Sequence, residues 1–239
     1  MLTLNVELVG LAGVGKTHLK KQLMVLLGDR CFDLVSYRPS WRDATSLPLA
    51  IWKAMPLSWY VMRASTRPLA VRVRLFKRFM ADAWRQEAVA RLRRRPEFVL
   101  LEEGWFHKLR RLRQVVDPST TYRDLPEAVR RRLLNPDLVV FVTADPVVTC
   151  KRKLQRSGRP ITPEEIALQY ARSGARGQWE EDALTRLDLE QASAAAGVPH
   201  IEIEYGEDFD VAATLIPLLE RARDRRSAMT ADRVTVGES

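Results

Sequence analysis

Gly10-Leu11-Ala12-Gly13-Val14-Gly15-Lys16-Thr17 reads GxxxxGK[ST], and its flanks decide what it means. Before it, Leu4 to Val9 is an apolar, β-prone run; after it, His18 to Leu27 has helical character. A strand, a tight Gly-rich loop and a helix in that order make a cradle for phosphate. The glycines let the backbone curl until successive N–H groups converge, and the helix adds the positive end of its dipole. The cradle predicted here comprises Gly10, Ala12, Gly13, Val14, Gly15, Lys16, Thr17 and His18. Lys16 is expected to reach the β- and γ-phosphates, and the Thr17 hydroxyl to hold Mg²⁺. The stretch therefore predicts a nucleoside triphosphate site, read as ATP with Mg²⁺.

Beyond the loop, apolar runs alternate with helical ones. Strands are expected at Leu34 to Tyr37, Phe98 to Leu101, Leu138 to Thr143 and His200 to Glu204. Trp41 to Arg94 is expected to hold at least two helices, broken near Pro48, Pro56 and Pro68. A basic helix follows the fourth strand, further helices run from about Pro163 to Ala196, and the last spans Val211 to Ala222. Alternation of this kind implies an α/β fold, a mostly parallel sheet covered on both faces, with its ligand at the carboxyl ends of the strands. Residues 1–222 form the expected domain, and 223–239 a polar tail without regular structure.

Composition narrows the classes. A 46% hydrophobic share in 239 residues supports a buried core. Cys31 and Cys150 stand far apart without CxxC or histidine spacing, which excludes a disulfide framework or a zinc site and predicts free thiols. The chain enters a strand almost at once, so no signal peptide and a cytoplasmic location are expected. Leu47 to Met62 is bulky and apolar, but Lys53 and two prolines break it too soon to span a bilayer; a helix packed over the substrate site is the expectation, ahead of membrane contact. The net charge of +9 comes mostly from arginine, concentrated between Arg63 and Arg95. Such a surface admits nucleic acid or an acidic membrane face as a partner. The absence of any nucleic-acid module ranks that reading behind a cleft for phosphates.

Four groups of residues carry the remaining chemistry. Glu102 and Glu103 close the third strand, where a carboxylate can hold Mg²⁺ through water or take a proton from an acceptor. Arg152 and Arg156 are four apart on one helix and Arg159 follows in a loop, so three guanidiniums are expected to converge on the transferring group. Tyr205-Gly206-Glu207-Asp208 follows the fifth strand, beside the expected triphosphate. Arg38 and Trp41 after strand two, with Trp105 and His107 after strand three, are placed to line an acceptor pocket.

Together these residues resemble the nucleoside and nucleotide kinase branch of P-loop proteins, most closely the thymidylate-kinase-like group, over Leu2 to about Arg221. The loop is one basis; the other is Pro136-Asp137-Leu138, Asp145-Pro146, Arg152 and Arg156-Ser157-Gly158-Arg159, which looks like that family's fourth strand and arginine-bearing lid. The resemblance implies a five-stranded parallel sheet in the order 2-3-1-4-5. It also implies an acceptor-binding helical region at about 40–95 and a lid at about 150–178. Lys16 and the lid arginines would then stabilise the γ-phosphoryl group, with Tyr205 and Gly206 beside the adenine. The chain departs from the family at two points. Glu102-Glu103-Gly104 lacks the arginine that usually follows the acid of strand three. Arg38-Pro39-Ser40-Trp41 keeps the proline and tryptophan of the related deoxynucleoside kinases but not their carboxylate. The glutamates of strand three become the expected base, and the acceptor, a nucleotide, nucleoside or other small alcohol or phosphate, stays open.

The leading expectation is an ATP-dependent phosphotransferase acting on a small acceptor, with a homodimer compatible. An ATPase or nucleotide-gated switch acting on nucleic acid or protein is the alternative, and a binding protein that has lost catalysis is a third. The absence of an NKxD motif speaks against a GTPase switch.

Overall fold

The computed structural model describes residues 3–92, 95–102, 104–133, 136–206 and 208–236, with backbone alone at 41, 114, 131–133 and 229–236. Five strands, β1 (Leu4–Val9), β2 (Cys31–Asp33), β3 (Phe98–Leu101), β4 (Leu138–Thr143) and β5 (His200–Glu204), form one sheet. Every pairing is parallel and the order is β2-β3-β1-β4-β5, as expected. β1 lies at the centre, with Glu7 opposite Leu101 on one side and Val139 on the other. All five strands therefore end on one edge, where the loops after Val9, Leu101, Thr143 and Glu204 meet.

Side-chain alternation sorts β1 onto two layers. Leu4, Val6 and Leu8 pack with Leu19, Leu23 and Leu27 of α1 (Lys16–Leu27) and with Leu219 of α9 (Ile216–Val236). Val9, on the opposite face, joins Leu57 and Val61 of α2 (Leu47–Ala64) and Leu75 and Phe79 of α3 (Leu69–Ala90). The same layer takes Phe106, Leu109 and Leu112 of α4 (Trp105–Val115) and Leu189 and Ala192 of α8 (Gln178–Ala196). The remaining helices are α5 (Glu127–Leu133), α6 (Pro146–Arg156) and α7 (Pro163–Ala175).

Four expectations need correction. The second strand is Cys31–Asp33, not Leu34 to Tyr37. The Asp33 carboxylate accepts from the Val35 N–H and the Ser36 hydroxyl, which turns the chain into a 3₁₀ turn over Leu34–Ser36 and ends the strand. Pro56 does not break α2. It lies on the exposed side of that helix, where water can take up the carbonyl it leaves unbonded. The break at Pro68 is observed. The sequence predicts one helix between strands three and four, stopped at Asn135-Pro136, whereas two occur, α4 directly after strand three and then α5. Finally, α9 carries the chain on through Arg223 instead of fraying there, because Arg223 is ion-paired to Glu97 and Arg226 to Asp137. Those contacts tie α9 to the sheet's amino edge.

Candidate functional site

The 10–17 loop borders a cavity of about 320 Å³ at the carboxyl edge of the sheet. Gly10, Gly13 and Gly15 all have positive φ (141°, 100° and 104°), a region from which side chains are largely excluded. At Gly15 a Cβ would also stand 2.7 Å from the Tyr205 ring. Gly15 caps α1 without a side chain of its own, so the N–H groups of the first turn remain for an outside acceptor. Lys16 Nζ donates to the carbonyls of Gly10 (2.6 Å) and Leu11 (2.7 Å), folding its ammonium back over the loop. Burial, with the positive charge of Arg110 next in weight, lowers its pKa to about 8.

Thr17 and Glu102, the two residues expected at the metal, come together. The Thr17 hydroxyl donates to Glu102 Oε1 at 2.6 Å. The other carboxylate oxygen receives Lys20 Nζ at 2.8 Å, and Lys20 also meets Asp33 at 3.0 Å. Burial works against the Glu102 charge, but the bonds from Lys20 and Thr17 outweigh it and hold the carboxyl below its usual range. No group of three His, Cys, Asp or Glu side chains placed to hold a metal occurs among the described residues. The pair does suit Mg²⁺, a hard cation that takes one or two protein oxygens and keeps most of its water.

Gly10, Ala12, Gly13, Gly15, Lys16, Thr17, Glu102 and Arg156 all line the cavity. Glu103 lies outside the described residues, as does the side chain of Trp41. Of the other predicted residues only His107 lines it. Val14 is core, 3% exposed. Arg152 points beneath the loop, donating to the carbonyls of Val14 (2.7 Å) and Tyr205 (3.2 Å) and lying 5.4 Å from the Tyr205 ring centre. Its role is to fasten the loop to the end of β5. Arg159 turns away to Glu165 at 3.4 Å. Tyr205 is buried, its hydroxyl 2.6 Å from His18 Nδ1 and donating to Gln22, so both it and His18 buttress α1. Gly206 and Arg38 are exposed and neither lines the cavity. Trp105 is buried against Phe106 and Tyr122. His107 does line the cavity, with Nε2 accepting from Arg111 Nε at 2.6 Å.

Several lining residues were missed: Glu7, Arg110, Glu181, Asp182 and Thr185. Arg110 stands on α4, 3.8 Å from Glu181. Glu181, Asp182 and Thr185 arrive on α8, and nothing in their local sequence marks them. Glu7 was legible, as a lone acid in the apolar run Leu4 to Val9. Its carboxylate accepts the N–H groups of Trp105 (2.7 Å) and Phe106 (2.8 Å), so β1 caps α4 from within. Gly104 is required beside it, since a Cβ there would sit 2.3 Å from the carboxyl carbon.

Burial raises the Glu7 pKa to about 7 against the opposing pull of those N–H groups and of buried Lys108. Between pH 4.5 and 7 the unfolded chain gives up this proton while the folded chain keeps it. The folded state then binds more protons, so stability falls as pH rises through that window. Glu7→Gln should remove that slope, which amounts to on the order of 3 kcal/mol. Urea melts of both proteins at pH 5 and 8 check this: a pH-independent difference between them would refute it.

No protein-family model and no curated protein sequence matches the chain. The solved structure of TT1252 from Thermus thermophilus is similar to it with a TM-score of 0.37 and 14% identity, covering 97% of this chain and 98% of that one. A likeness that weak carries no argument about function.

Proposed function

We propose that the chain is a P-loop phosphotransferase that moves the γ-phosphoryl group of ATP to a small acceptor. The observation that carries this reading is the bond between the Thr17 hydroxyl and Glu102 at the foot of a cavity also lined by Lys16, Arg110 and Arg156. A hydroxyl at the start of a helix and a carboxylate at the end of the neighbouring strand are the oxygen pair a Mg²⁺–triphosphate requires. Lys16, Arg110 and Arg156 line the same cavity, and each suits a phosphate oxygen.

The roles follow from placement. Loop N–H groups and Lys16 would hold the phosphates; Thr17 and Glu102 would hold Mg²⁺, which supplies charge neutralisation on the phosphate oxygens. Of the lid arginines anticipated, Arg156 takes the charge-stabilising role, and Arg110 takes the place intended for Arg152 and Arg159. Glu181 and Asp182 give the same cavity an acidic side. That side favours an acceptor offering hydroxyl or amino donors over one that is purely anionic. Glu102, held ionised by Lys20, is better suited to the metal than to proton transfer.

Calorimetry should detect magnesium-dependent ATP uptake, and ATP consumption should rise with one acceptor class among nucleosides, nucleotides, sugars, aminoglycosides and lipid alcohols. Glu102→Gln should weaken the dependence on magnesium. Absence of any magnesium-dependent uptake by folded protein would overturn the proposal.

A further inference from the structure

α2 is apolar on two opposite faces. Ala50, Ala54, Leu57 and Val61 are buried against α3 and the core. Leu49, Trp52, Met55 and Trp59 recur at three- and four-residue spacing on the other side, with Trp52 61% and Trp59 56% exposed. The sequence predicts this helix over the substrate site, but none of its residues lines the cavity beside the 10–17 loop. Leu69 and Val73 at the start of α3 are exposed as well. A stripe of large exposed apolar side chains along one helix of a folded chain marks a contact.

Charge identifies the contact. From Leu47 to Ala90 the chain carries eight Lys and Arg residues and two acids. Both acids are buried: Asp82 pairs with Arg85, and Glu87 with Lys53. The hairpin's outer surface therefore offers no carboxylate, while Arg63, Arg67, Arg74 and Lys77 are exposed on it. Arg63 lies 5.0 Å from the Trp59 ring centre, next to the apolar stripe. Two copies of this face would repel one another, so a second copy of the chain is a poor occupant. A nucleic acid would use the cations and leave the aliphatic stripe in water. An anionic lipid surface uses both: tryptophan and leucine enter the headgroup boundary and the cations meet lipid phosphates. No helix among the described residues is long and apolar enough to cross a membrane, so the contact lies in the interface plane.

We infer that the α2–α3 hairpin docks the protein on anionic phospholipid membranes, through the Leu49–Trp52–Met55–Trp59 stripe, Arg63 beside it and the hairpin's other exposed arginines and lysine. The inference does not depend on the phosphotransferase proposal. The test is co-sedimentation of the full chain with phosphatidylcholine vesicles, with and without about 30% phosphatidylglycerol, across a salt series. Binding should require the anionic lipid and weaken with salt. Trp52→Glu with Trp59→Glu, and separately Arg74→Glu with Lys77→Glu, should each weaken it by about tenfold or more. Both pairs are exposed, so unchanged thermal melts establish that the variants fold. Equal binding to neutral vesicles, or full binding by the tryptophan variant, overturns the inference. So does a dimer in solution that the tryptophan variant converts to monomer, or affinity for duplex DNA that exceeds affinity for the vesicles.

Discussion

Lys16→Ala is expected to lower ATP-dependent turnover by about two to three orders of magnitude, with a melting temperature close to that of the parent. The size of the loss follows from where the ammonium sits. It is held over the loop by the Gly10 and Leu11 carbonyls, within a cavity shared with Arg110 and Arg156. Charge developing on a phosphoryl group in such a site meets donors already oriented and partly desolvated, so removing one is far more costly than in water. Stability should suffer little because Lys16 is itself under electrostatic pressure. Burial and the neighbouring guanidiniums bring its pKa to about 8, and the alanine variant relieves that repulsion while losing two hydrogen bonds. Lys16→Arg keeps a charge but not the compact ammonium, and should fall between the two. Steady-state ATP consumption with the best acceptor, alongside thermal melts, makes the comparison. Turnover equal to the parent's in Lys16→Ala would remove Lys16 from the chemistry.

The parts of this architecture that were legible in the sequence are those written in short range. β3 and β4 are apolar almost throughout, β1 is apolar but for Asn5 and Glu7, β5 alternates isoleucine with charged or polar residues, and each lies where its pattern places it. β2 failed because Leu34 and Val35 look like strand while Asp33, one residue earlier, turns the backbone with its own side chain. The site divides the same way. Lys16, Thr17 and Glu102 belong to motifs at strand ends, where topology alone brings them to one edge. Arg156 reaches the cavity, whereas Arg152, one helical turn earlier, is drawn under the loop by the Val14 and Tyr205 carbonyls. Helical spacing puts two arginines on one face but does not say what that face meets. Lys20 shows the limit from the other side: a lysine in an amphipathic helix looks like a solvated charge, yet here it is buried between Asp33 and Glu102. Its partners are brought to it by two different strands.

The largest stability effect is expected at Arg113, also without a mark in the sequence. Its side chain on α4 is 2% exposed and meets Asp188 of α8, 1% exposed, in a direct ion pair. Arg113 Nε also donates to the Thr120 carbonyl at 2.7 Å, and Asp188 accepts the Tyr122 N–H at 2.8 Å. Replacing one partner leaves a buried charge uncompensated, so Arg113→Met should cost about 3–5 kcal/mol. Arg113→Met with Asp188→Leu removes both charges and should recover much of that loss, because the pair's attraction was offset by the desolvation of each ion. Urea denaturation of the parent, both single variants and the double variant closes the cycle; additive effects would show that the two residues do not act as a pair. The loss should extend to binding. α4 presents Arg110 to the cavity, and α8 presents Glu181, Asp182 and Thr185. Arg113 is bonded to α8 at two of its turns, Glu181 and Asp188. If it holds those two helices in register, ATP affinity in Arg113→Met should drop even below the temperature at which that variant unfolds, and the double variant should not regain it in full. The charge-free pair can refill the volume but supplies no directional bonds to fix how the helices meet.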